Sequence, residues 1–228
     1  SYLKTSDFKN LNFKKYWNLK YKPNYNLGYN EVINKTKILL KKAFEIRFRS
    51  DVPIGLCLSG GIDSSNIAAF SKIILKKNIK TYSIIDKDDR YNEIKNINLL
   101  KKELKIKNHK IYLNKENNFR LLEKLIKYKR QPICTLSYYN HSLLLKRMKK
   151  DKIKVCLLGT AADEIFAGYY DHYLLHLSIC KNKKKFNLNK KYFEKFIKPL
   201  IRNSLLKSPY KYIKNPNDRK HVYDESDK

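Results

Sequence analysis

Apolar residues recur at helical spacing over 31–48, where Val32, Ile33, Leu39, Leu40, Ala43, Phe44 and Ile46 predict a helix. Asp51-Val52-Pro53 stops it, because the residue before a proline avoids the helical region. The pattern then changes. Ile54-Gly55-Leu56-Cys57-Leu58 is a short apolar run closed by Ser59-Gly60-Gly61, which reads as a buried parallel strand ending in a glycine turn. Further strands are expected over 81–85, 109–113 and 154–158. Helical spacing marks 63–76, 91–104, 119–128, 138–149 and 163–177, and more weakly 192–206. Residues 1–30 lack periodicity and read as a linker or a tail, and 209–228 read as irregular.

Strands alternating with helices imply βαβ units. The fold class expected is therefore α/β, a parallel sheet with helices on both faces. Ligands in such sheets bind beyond the carboxyl ends of the strands. Two predicted strands end in glycine turns that lead into acidic helix starts, at 59–63 and 159–163. Those turns are where chemistry is expected.

Composition narrows the picture little. The chain has 228 residues, of which 42% are hydrophobic, enough for one domain with a sizeable core. No apolar run approaches the roughly 20 residues that span a bilayer, so a cytoplasmic protein without a membrane partner is expected. The net charge is +30, from 51 Lys+Arg against 21 Asp+Glu. Such an excess suits a nucleic-acid partner. Here the basic residues are mostly Lys, spread over the whole chain and accompanied by many Asn, Ile and Tyr, as A/T-rich codons would give. No specific nucleic-acid partner is expected. The cysteines, Cys57, Cys134, Cys156 and Cys180, form no CxxC pair, and Cys57 and Cys156 read as small buried strand residues.

The segment Leu58-Ser59-Gly60-Gly61-Ile62-Asp63-Ser64-Ser65 lies between a predicted strand and a predicted helix. Gly60 and Gly61 allow positive φ and a close backbone approach to a ligand. The amides of the turn and the helix start make an anion site, and Ser59, Ser64 and Ser65 add hydroxyls. Asp63 repels phosphate unless a cation lies between them, and Mg²⁺ is the natural bridge. As a bland alternative, Gly-Gly is only a turn and Asp63 only a helix cap. The GxxxxGK(S/T) and GxGxxG loops are both absent. The SGGxDS pattern resembles the PP-loop of ATP pyrophosphatases, which split ATP between its α and β phosphates.

Residues 157–169, Leu-Leu-Gly-Thr-Ala-Ala-Asp-Glu-Ile-Phe-Ala-Gly-Tyr, resemble the second signature of asparagine synthetases, LSGEGADELFGGY. Arg49-Ser50-Asp51-Val52-Pro53-Ile54-Gly55, Lys15-Tyr16-Trp17, Tyr82-Ser83-Ile84 and Tyr91-Asn92-Glu93 are similar to the same family. The resemblance implies that Ser59 to Ser65 hold the pyrophosphate part of ATP and that Asp63 and Asp163 hold Mg²⁺. It further implies that Cys57, Ile84, Leu158 and Gly159 line the nucleotide, and that Thr160 stands by the acyl centre. The implied reaction joins a carboxylate to AMP, after which ammonia displaces AMP. The implied partners are a small-molecule or nucleotide-sugar carboxylate and ammonia from a glutaminase domain of the same full-length chain. A homodimer is allowed for. On this reading 1–30 is a linker or the tail of a missing glutaminase domain, and 31–228 is a synthetase domain lacking its C-terminal part.

Thr160 replaces the family's Glu and cannot act as a carboxylate base. Lys129-Arg130-Gln131-Pro132 is basic where the family is often acidic. Both departures fit relatives that amidate sugar uronic acids in polysaccharide synthesis. A tRNA-modifying PP-loop ATPase is the rival that the net charge favours. His172 and His176 are four apart, a metal-like spacing, but read as helix-surface residues, and His141 as structural or exposed.

Overall fold

The computed structural model describes residues 15–18, 20, 22–24, 26–89, 91–113, 118–133, 135–201, 206–208, 210 and 214–215. Most of the expected linker and most of 209–228 lie outside them. The chain divides into two compact units, 1–49 and 50–228. The first carries α1 (Tyr29–Arg47), matching the expected helix to within two residues. A Glu31–Lys35 ion pair at 2.8 Å braces its first turns. No residue of α1 is buried.

The second unit holds a parallel four-stranded sheet. Its elements are β1 (Ile54–Cys57), α2 (Ile62–Ala69), β2 (Lys80–Ile85), α3 (Ile94–Leu104), β3 (Lys107–Tyr112), α4 (Asn118–Lys129), α5 (Leu136–Lys150), β4 (Val155–Leu157), α6 (Ala162–Phe166), α7 (Tyr170–Cys180) and α8 (Phe186–Tyr192). The strand order is β3-β2-β1-β4. The chain steps one way from β1 to β3 and then returns to the far side of β1. Right-handed crossovers therefore put α2 and α3 on one face and α4 and α5 on the other.

The two faces differ in chemistry because side chains alternate along each strand. Tyr82 of β2 packs with Leu144 and Met148 of α5, over Cys57, Ile84, Ile111 and Cys156. On the opposite face Leu56 and Thr81 are fully buried, and Asn108 Nδ2 donates to Thr81 Oγ1 (3.0 Å) and Ser83 Oγ (2.9 Å). A second core joins Leu174 and Leu177 of α7 to Phe193 and Ile201 beyond α8.

Several boundaries differ from the sequence reading. The expected helix over 163–177 is two helices, because Ala167 adopts φ 57° and Gly168 N–H closes back on the Asp163 carbonyl at 2.9 Å. The last helix begins at Phe186 rather than 192 and widens into a π-helical turn at Phe193–Ile197. Helix α2 likewise ends in a π-helical turn, Phe70–Ile74. Strand β4 is half-buried rather than buried, since it closes the sheet on that side, and Cys57 and Cys156 are both half-buried rather than buried. His172 is half-buried, with a buried Nδ1, rather than on the helix surface.

A polar clamp ties the middle strands to α5. Tyr82 Oη donates to Asp151 Oδ2 at 2.9 Å, and Arg147 Nε donates to the same oxygen at 3.3 Å. His109 stacks on Tyr82 with ring centroids 5.1 Å apart, and its Nδ1 lies 3.0 Å from the Arg147 guanidinium. Burial pushes the Asp151 carboxyl up, but these hydrogen bonds and the neighbouring cations outweigh it and leave the carboxyl below its ordinary value. A lowered folded-state value means that stability is present above the ordinary carboxylate pKa and is lost as pH falls through the folded one. Asp151→Asn should therefore flatten the acid limb of the stability curve below about pH 4. Urea unfolding at stepped pH checks this, and an acid limb as steep as that of the wild type would contradict it.

Candidate nucleotide site at the sheet switch point

The chain leaves β1 under tight control. Leu58 N–H donates to the Tyr82 carbonyl at 2.8 Å, and the Leu58 carbonyl accepts from Ser83 Oγ at 2.5 Å. Gly60 then turns with φ +84°, and a Cβ there would stand 3.1 Å from Asn96 Cβ and 3.2 Å from Glu93 Cβ. Both conformation and space require glycine. Gly61 is the N-cap of α2 and offers no side-chain acceptor. The amides of Ile62, Asp63 and Ser64 thus begin the helix without intrahelical partners, beside the positive end of its dipole. Asp63 sits inside the first turn and is not the cap residue.

The serines close the loop on itself. Ser59 N–H donates to Ser64 Oγ (3.1 Å), Gly61 N–H donates to Ser59 Oγ (3.2 Å), and the two hydroxyls lie 2.9 Å apart. Ser65 Oγ donates to the Gly61 carbonyl at 2.6 Å. The Ser65 hydroxyl therefore braces the loop and does not point outward as a free donor.

The exit of β4 lies against this loop. A Cβ on Gly159 would stand 2.9 Å from Ser64 N and 3.0 Å from Asp63 Cβ. Ala161 takes φ 74° and opens α6, whose first turn carries Asp163 and Glu164. A Cβ on Gly168 would fall 1.9 Å from Asp163 Oδ1, so a side chain there would force that carboxylate to swing away. Burial, then the charge of Asp163, then that of Glu164 push the Asp63 carboxyl above its ordinary value. Glu164 accepts from Tyr169 Oη at 2.7 Å, which lowers its own carboxyl.

Acidic oxygens so arranged suit a hard cation. Among the described residues no three His, Cys, Asp or Glu side chains converge into a metal site. A cation here would need further oxygens from its ligand or from water, as Mg²⁺ takes from phosphates. Asp63 and Asp163 fit that role.

Between the loops opens a cleft of about 320 Å³. Ser59, Gly61, Asp63 and Ser64 form one wall, and Leu158, Gly159 and Thr160 another. Cys57, Leu58, Tyr82 and Ile84 floor it, and Glu93, Asn140, His141 and Leu144 complete it. Gly60, Ser65 and Asp163 stand outside this lining and support it. Burial pushes the Glu93 carboxyl up. The third wall was missed in sequence, although His141 and Leu144 stand three apart, on one helical face. Period-two alternation also puts Tyr82 beside Ile84 on the α5 face.

The matched stretch of the asparagine synthase family model runs over residues 35–222, most of the chain. The chain belongs to the asparagine synthase family. A Methanocaldococcus jannaschii protein described as "Putative asparagine synthetase (glutamine-hydrolyzing) 2" is 31% identical over 159 residues, covering 69% of this chain and 30% of that protein. The chain thus spans less than a third of that relative's length. Amidase chyE of Penicillium rubens is 33% identical over 70 residues, covering 29% of this chain and 10% of that one. Among solved structures, NH3-dependent NAD synthetase from Campylobacter jejuni is similar at TM-score 0.38 and 16% identity, covering 87% of this chain and 99% of that one. The U34-tRNA thiolase NcsA of Methanococcus maripaludis is similar at TM-score 0.40 and 14% identity, covering 73% and 54%.

The Gly159 contact leaves no slack. Gly159→Ala should push the two loops apart and cost about 1–3 kcal/mol, the range of overpacking. Leu99→Ala, at an exposed site, should change stability by less than about 0.5 kcal/mol. Chemical denaturation compares them, and equal stability of the two variants would show that the loops do not touch.

Proposed function

We propose that this chain is the nucleotide-binding unit of an ATP-dependent amidating ligase that converts a carboxylate to an amide. The observation that carries the reading is the contact of the two loops. It puts the free amides of the α2 N-terminus beside the Asp63 and Asp163 carboxylates, at the point where the strand order reverses. Anion donors and cation ligands together suit a Mg²⁺-bound triphosphate better than either would alone.

In this reading the loop amides from Ile62 to Ser64 bind the departing pyrophosphate of ATP. Asp63 and Asp163 would hold Mg²⁺, which supplies neutralising charge there. Cys57, Ile84, Leu158 and Gly159 line the nucleotide. The acceptor carboxylate attacks the α-phosphorus and pyrophosphate leaves. Ammonia then attacks the acyl carbon and AMP leaves. Fixed donors aimed at the developing charge favour the first step. The ammonia source is a glutaminase part of the full-length protein, as the name of the M. jannaschii relative suggests for that protein.

Aspartate is the acceptor that the family's name suggests. Thr160 favours a second reading. It lines the cleft without a charge, and no carboxylate of the second loop lines the cleft. A larger anionic acceptor, such as a nucleotide-linked uronic acid, gains room and loses a repulsion there. Lys129, basic where relatives are often acidic, already holds its ammonium 3.7 Å over the Tyr138 ring. It is therefore a weaker argument for the anion than Thr160.

The full-length protein should turn over to AMP and pyrophosphate only when Mg-ATP, ammonia and an acceptor are all present, and without ammonia should release at most one pyrophosphate per site. Assays with aspartate and with uronates separate the two acceptors. Release of ADP and phosphate instead would overturn the reading. Turnover with aspartate and none with uronates would leave Thr160 as a tolerated variant.

A further inference from the structure

A thiol in the floor of the cleft, Cys57, meets a second thiol, Cys156, and the amidation chemistry uses the sulfur of neither. Cys57 closes β1 and Cys156 sits in β4. The strands pair with Gly55 opposite Cys156, so Cys57 lies two residues further along the same face. On that diagonal the sulfur atoms are 3.4 Å apart, within hydrogen-bond reach. Both residues are half-buried, and Cys57 lines the open cleft. The third described cysteine differs. Cys180 is buried on α7, with its sulfur 3.6 Å from His176 Nε2.

The hydrogen bond between the two sulfurs shifts both thiols. Bonding to Cys156, with burial, holds the Cys57 thiol protonated, and the same bond lowers the Cys156 thiol. Two thiols sharing one hydrogen bond let either ionise with the other as donor, and the thiolate is the nucleophile toward a disulfide. A second thiol in contact is what turns a mixed disulfide into a bridge. Alanine or valine would fill the same apolar floor, so packing alone does not call for sulfur at both places.

We infer that Cys57, in the cleft floor, and Cys156 beside it form a dithiol modification site, oxidised by a low-molecular-weight disulfide to a covalent bridge between β1 and β4. One of the two sulfurs, as its thiolate, attacks the reagent and expels one thiolate. The other sulfur then attacks the mixed disulfide, gives up its proton and expels the second. Two protein thiols are oxidised and one disulfide is reduced to two thiols. Contracting the gap from 3.4 Å to a bond of about 2 Å moves the two strands that carry the phosphate loops. The loops have no slack at Gly159, so the bridged form should bind Mg-ATP more weakly. This coupling rests on the nucleotide reading of the cleft, whereas the dithiol site does not.

Reduced full-length protein is incubated with glutathione disulfide and followed by intact mass and peptide mapping. The expected product links Cys57 to Cys156 and retains no glutathione at either. Cys57→Ala should instead keep one glutathione on Cys156. Mapping of the wild type stands even if that variant misfolds. Mg-ATP at ten times its Kd should slow bridging about tenfold by occupying the cleft. Separate adducts retained at both cysteines, or no reaction at either, would overturn the dithiol site. Bridging at an unchanged rate in protein shown to be saturated with Mg-ATP would instead sink the nucleotide reading of the cleft and leave the dithiol site standing.

Discussion

The site depends on one close approach. The backbone leaving β4 at Gly159 runs so near the first turn of α2 that a methyl group would stand 2.9 Å from an amide nitrogen. Direct β1–β4 pairing produces that approach, and the absence of a side chain at Gly159 permits it. Helix α2 supplies unpaired amides and a positive dipole end, and α6 supplies carboxylates. Apart, neither is unusual for a helix start. Together they set opposite local charges side by side, which suits a ligand that is itself a cation–polyanion pair.

Much of this was legible in the chain, because the decisive features are backbone features. Gly60 announces a turn with positive φ, and the run from Ile54 to Leu58 announces a strand. Asp63 is anomalous at an anion site until a cation is considered. The order of strands and helices implied a parallel sheet, and the two glycine turns at strand ends marked where to look. Membership of the asparagine synthase family agrees with the residues that carried the resemblance.

What stayed hidden depends on tertiary contact. Ala167 is a good helix former, and nothing local says that it will adopt φ 57°. It does so where the chain must turn back so that Gly168 can pass over Asp163. Asn140 and His141 become a cleft wall only because α5 crosses β2, where Tyr82, Leu144 and Met148 pack. Cys57 and Cys156 are 99 positions apart, and each alone reads as strand filling. Their contact follows from strand order and register, which periodicity does not encode. Ser65 belongs to the motif, yet its hydroxyl is spent on Gly61.

The most direct measurement maps backbone amide shifts as the ¹⁵N-labelled protein is titrated with Mg-ATP at physiological salt. If the switch point binds the triphosphate, the largest changes fall on Ile62, Asp63, Ser64, Gly159 and Thr160. Repeating the titration with Asp63→Ala should remove the part of the affinity that depends on Mg²⁺. With a net charge of +30, the alternative is binding spread over surface lysines. Small shifts scattered across the basic helices, with the two loops unmoved and a Mg²⁺ dependence unchanged in Asp63→Ala, would contradict a nucleotide site at the β1–β4 junction.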